Sequence, residues 1–111
     1  MWNCIYYVLH KYIERHPDWI VRTHEALSLD PVNEFKALYD FLNLVWDDET
    51  SSAIIDFTSP KNIVNPPDGE VHHLRRNSKE NIDRWKNVLT KDEIEQILLA
   101  TKDIRLNFYD K

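Results

Sequence analysis

Glycine is almost missing from this 111-residue chain, and its single representative, Gly69, sits in a proline-rich stretch. A loop that cradles phosphate through its backbone needs glycine between a strand and a helix, so these residues hold no such loop. Cysteine is equally scarce. The lone Cys4 can form no internal disulfide and offers no Cys-x-x-Cys zinc pair, which fits a reducing, cytoplasmic setting. No apolar run approaches the roughly 20 residues that cross a bilayer, so no membrane partner is expected. The opening MWNCIYYVLHKYIER has neither the basic start nor the cleavage site of a signal peptide. Acidic residues outnumber basic ones, 19 to 14, and the net charge of -5 argues against a nucleic-acid partner held by overall charge.

What is present suffices for a folded domain. Apolar residues make up 42% and four are tryptophans, enough for one core but not two at this length. Trp2, Ile5, Tyr6, Leu9, Tyr12 and Ile13 recur at helical spacing, and His16-Pro17-Asp18 closes that helix. Trp19-Ile20-Val21 is bulky and partly β-branched, which predicts a short strand buried on both faces. Asp30-Pro31 predicts a helix start, with an acidic side chain for the orphan amides and a proline whose missing N–H costs nothing there. Phe35, Leu38, Tyr39, Phe41 and Leu42 form its inner stripe, and Asn43 suits a left-handed cap. A further helix opens in Asp47-Asp48-Glu49 and runs towards Phe57.

Residues 58–73, TSPKNIVNPPDGEVHH, hold three of the five prolines and the only glycine, and predict an internal loop. LRRNSKENIDRWKN then brings a local basic patch, with Ser78 placed to cap a helix carrying Ile82, Trp85 and Leu89. Thr90-Lys91-Asp92-Glu93 is a capping box that opens a last helix with Ile94, Ile97, Leu98 and Thr101 inside. No internal repeat or low-complexity tract occurs.

Three blocks in this order resemble the C-terminal part of a PAPS-dependent sulfotransferase domain of the bacterial or carbohydrate type. WIVRTHEALSLDPVNEFKALYDFLNL is similar to the family's strand, HEDL turn, aspartate-proline and long helix. LRRNSKENIDRWKN is similar to its late arginine-x-serine segment and tryptophan helix, and NVLTKDEIEQI with NFY to its closing helix. The resemblance implies a P-loop-like α/β fold of which residues 1–111 are a single partial domain, mainly α with one short strand. It also implies transfer of a sulfuryl group from PAPS to an acceptor hydroxyl or amine, a carbohydrate among the acceptors of that type, with PAP left behind. In this chain the glycines of the family's late basic segment are absent, and so is its N-terminal phosphosulfate loop. The implied chain therefore supplies part of the 3′-phosphate site, contains no catalytic residue of its own and transfers nothing unaided.

Arg75, Arg76 and Ser78 are the candidate cofactor-binding residues, because guanidinium forks beside a serine-capped helix start suit a phosphate. The plainer reading is an exposed basic turn. His24-Glu25 in RTHEALSLDP could form an acid–base pair, but neighbouring residues there point apart and no third group orients them. A strand turning into a helix, with Glu25 satisfied by backbone or Arg22, is expected. His72-His73 is read as loop rather than metal site, since adjacent histidines share one ion poorly. Trp85 is read as core. An unpaired Trp19-Ile20-Val21 strand invites self-association. The alternative from another class is a small, non-catalytic helical protein-interaction module.

Overall fold

The computed structural model describes residues 1–65 and 73–109. Among them the helices are α1 (Trp2–Arg15), α2 (His24–Leu29), α3 (Pro31–Phe41), α4 (Asp48–Thr58), α5 (Ser78–Asn81) and α6 (Lys91–Tyr109), with a short 3₁₀ helix at Arg84–Asn87. The mainly helical class is as expected. No strand forms among the described residues, so the strand expected at Trp19-Ile20-Val21 is corrected to an irregular link between α1 and α2. β-propensity becomes a strand only when a neighbour pairs its N–H and C=O groups, and no other described segment does so. Of the loop expected at 58–73, residues 66–72, including Gly69 and His72, lie outside the described part.

The chain divides into two compact units, Met1–Thr23 with Trp85–Lys111, and His24–Arg84. In the first, α1 lies against α6. The apolar stripe of α1 brings Trp2 onto Tyr6 with centroids 4.1 Å apart, and Tyr6 meets Phe108 edge-on at 5.3 Å. Such aromatic pairs add roughly 0.5–1.5 kcal/mol beyond their buried area. Asn3 Nδ2 donates to the Ala100 carbonyl at 2.7 Å and ties the two helices.

The capping box that opens α6 is as expected. Glu93 accepts from the Thr90 amide and hydroxyl, each at 2.8 Å, while the Glu93 amide donates to Thr90 Oγ1 at 3.3 Å. The backbone amide of Thr90, and then its hydroxyl, hold the Glu93 carboxyl below the usual glutamate range. Asp47, the N-cap of α4, is lowered in the same way by the Thr50 amide, which reaches it at 2.7 Å. A carboxyl lowered in the folded state stabilises at neutral pH, and that contribution disappears as the pH falls through the folded value. Acidification below the ordinary carboxylate range is expected to fray the first turns of α4 and α6. Carbon-detected titration of Glu93 with the Thr90 amide shift checks it; Glu93→Gln should abolish the acid-induced change at Thr90, and persistence of that change would refute the capping account.

In the second unit α2 contacts α3 and α5, and α3 contacts α4. Helix α3 ends as expected, with Asn43 at φ 55. The Leu44 amide returns to the Tyr39 carbonyl at 2.8 Å and the Asn43 amide to Asp40 at 3.2 Å, the paired bonds of a Schellman ending. Tyr39 then meets Trp46 edge-on at 5.2 Å. Pro31 takes the first helical position, but Asp30 makes no side-chain cap; its Oδ2 accepts from Asn33 Nδ2 at 2.8 Å. That exchanges an orphan amide of the helix for a side-chain amide within reach.

The expected single core is replaced by partial burial. Among the described residues no hydrophobic side chain is buried, and the buried residues are Ser28 and Asn77. The amphipathic stripes meet one or two neighbouring helices rather than an enclosing layer, so residues such as Leu42, Leu44 and Val45 stay exposed. The helix expected from Ser78 through Leu89 is also interrupted. Helix α5 ends at Asn81, Trp85 falls in the 3₁₀ segment at 38% exposure, and Lys86 Nζ lies 5.6 Å from its ring centroid, so Trp85 is no core residue.

Candidate functional site

Arg75, Arg76 and Ser78 lie where the chain enters α5, on a turn fixed to α4 and to the start of the preceding loop. The Arg76 amide donates to the Phe57 carbonyl at 2.9 Å and the Asn77 amide to the Ile63 carbonyl at 3.1 Å. Asn77, 4% exposed, donates from Nδ2 to the Pro60 carbonyl and accepts the Glu80 amide, each at 3.2 Å. Asn62 Nδ2 bridges the Asp56 carbonyl at 2.7 Å and the Arg76 carbonyl at 3.5 Å. The turn is thus held by hydrogen bonds of Arg76, Asn77 and Asn62 to backbone groups, which fix an irregular segment without a hydrophobic core.

The three candidates divide by role. Arg76 turns inward, giving Nε to the His73 carbonyl at 2.8 Å and Nη1 to the Val64 carbonyl at 3.3 Å. Arg75 turns outward. Its Nε donates to Asp56 Oδ2 at 2.7 Å, its guanidinium carbon lies 5.4 Å from the Phe57 ring centroid, and its side chain is 59% exposed. Ser78 is the first residue of α5 and not its cap; that position belongs to Asn77. The correction has a local cause, because the amide oxygen of Asn77 reaches the Glu80 amide from one residue earlier while its nitrogen holds Pro60. Asn77-x-x-Glu80 is itself a cap-like spacing and was a legible signal. Asp56 and Phe57 have no such signal, standing 19 and 18 residues before Arg75.

His24 and Glu25 open α2, and Glu25 Oε2 is shielded from solvent with no hydrogen-bond partner, so the partner expected for that oxygen is not found among the described residues. Arg22 Nη1 donates to the Val21 carbonyl at 3.2 Å. The described residues contain no group of three His, Cys, Asp or Glu side chains able to hold a metal ion. A shallow depression along Leu89, Glu93, Gln96, Ile97 and Ala100 opens to solvent and gathers no convergent polar groups. Among the described residues no helix is long and apolar enough to cross a membrane. Comparison with family models, with curated proteins and with solved structures finds no match.

Proposed function

We propose that this chain is the C-terminal, helical part of a PAPS-dependent sulfotransferase of the cytoplasm, and that its basic turn binds the 3′-phosphate of the nucleotide. The observation that supports the reading is the hydrogen-bonded turn that carries Arg75 outward, three residues before Ser78. Nη1 and Nη2 of Arg75 have no partner among the described residues, so the residues present fit a phosphate. Arg76 would act by fixing the turn. When bound, PAPS would supply the sulfuryl group for an acceptor hydroxyl or amine; this chain's residues would only hold and orient the nucleotide.

The test is a titration of the full chain with adenosine 3′,5′-bisphosphate against AMP, followed by NMR. A charge-assisted hydrogen bond is worth about 1.5–3 kcal/mol, and exposure of Arg75 favours the low end. Arg75→Ala should therefore cut the preference for the 3′-phosphate about tenfold, with Arg84→Ala as control. Equal binding of the two nucleotides by the wild-type chain, or a preference that Arg84→Ala removes and Arg75→Ala leaves intact, would overturn the reading. A second reading, a non-catalytic helical module for protein interaction, is favoured by the many exposed large apolar side chains. It expects no preference between the nucleotides.

A further inference from the structure

We infer that Asp56 and Phe57 are positioning residues that hold the Arg75 guanidinium so that its two-nitrogen edge faces a phosphate monoester. The inference rests on the proposed reading of the turn and adds two residues to it. An exposed arginine ordinarily samples many rotamers, and a ligand must arrest them on binding. Here two contacts bias them beforehand. Asp56 Oδ2 takes the Nε–H at 2.7 Å, and the Phe57 ring lies under the guanidinium carbon at 5.4 Å.

Both positioning residues are themselves fixed. They occupy the last turn of α4, where the Asp56 carbonyl accepts from Asn62 Nδ2 at 2.7 Å and the Phe57 carbonyl accepts the Arg76 amide at 2.9 Å. The frame that sets Arg76 and Asn77 therefore also sets the carboxylate and ring that meet Arg75. A guanidinium offers two forks, one between Nε and an Nη, the other between the two Nη atoms. Asp56 occupies the first through Nε, and the second is left open among the described residues. An ion pair with side chains 59% and 54% exposed contributes little to stability, so orientation is the larger effect it can have.

Asp56 could instead act as a competitor that repels the phosphate, and the two roles give opposite results on substitution. Asparagine keeps an oxygen for the Nε–H without the charge; alanine removes both. If Asp56 positions Arg75, Asp56→Ala weakens binding of adenosine 3′,5′-bisphosphate about threefold to tenfold, while Asp56→Asn stays within about twofold of wild type. The Arg75 Nε–H cross-peak supplies a second readout. It should be visible in wild type and Asp56→Asn, broadened by solvent exchange in Asp56→Ala, and shifted by inorganic phosphate in wild type.

Failure of the nucleotide reading is separable from failure of this inference. If wild type binds AMP and the bisphosphate equally, yet inorganic phosphate shifts the Arg75 peak and the variants keep their order, positioning stands and the nucleotide assignment falls. If Asp56→Ala binds as tightly as wild type or tighter, or phosphate leaves the Arg75 peak unmoved, positioning is overturned.

Discussion

Asn77→Ala will destabilise the unit formed by His24–Arg84 by about 2–4 kcal/mol, the largest effect expected of a single substitution in this chain. Alanine keeps the backbone bonds of residue 77, to the Ile63 carbonyl and from the Asn81 amide, but loses both side-chain bonds. The Glu80 amide loses its cap, which costs about 1 kcal/mol. The Pro60 carbonyl loses a donor in a place that water reaches poorly, since Asn77 is 4% exposed, and an unsatisfied buried group costs about 1–3 kcal/mol. Serine can still cap and should recover about 1 kcal/mol. Urea unfolding followed at Ile54 and Asn81 by NMR checks the ranking. An Asn77→Ala midpoint that matches wild type would mean the turn is held by its backbone bonds alone. Because Arg75 hangs from the same turn, the variant should also lose any preference for a 3′-phosphate.

The second large effect concerns Ile20 and Val21, whose amides have no hydrogen-bond partner among the described residues. In dilute solution these two amides should exchange at nearly the unfolded rate, while Ile97 and Thr101 in α6 exchange on the order of a hundredfold more slowly. Trp19 and Val21 are exposed beside them, at 48% and 37%, so the segment combines open backbone with apolar side chains. Strand pairing with a second copy is the result expected of that combination. Raising the concentration should slow exchange at Ile20 and Val21 and increase the sedimentation coefficient, and Ile20→Lys should cancel both changes. Slow exchange there in a strictly monomeric chain would contradict the account.

Much of the helical pattern was legible because its causes are local. The aromatic stripe of α1, the Thr90–Glu93 box, the acidic opening of α4 and the left-handed Asn43 each depend on residues within about two helical turns. The cap lies one position before Ser78, because Asn77 and Ser78 are both good capping residues and the choice lies with Pro60, 17 residues from Asn77. Helical spacing places Trp85 in a core, but the chain does not maintain that helix beyond Asn81.

By itself the sequence determined α1, α3, α4 and the start of α6, the lack of a glycine-lined phosphate loop, and the clustering of Arg75 and Arg76 before a helix start. These follow from periodicity, capping chemistry and composition. Tertiary structure decided which arginine faces outward, what holds it, and whether Trp19-Ile20-Val21 is a strand. Each of those depends on partners distant in sequence: Asp56 for Arg75, Val64 for Arg76, and for the β-branched run a neighbouring strand that no described residue supplies. Local propensity cannot name a distant partner, because the free energy of a hydrogen bond or a strand pair belongs to both of its sides.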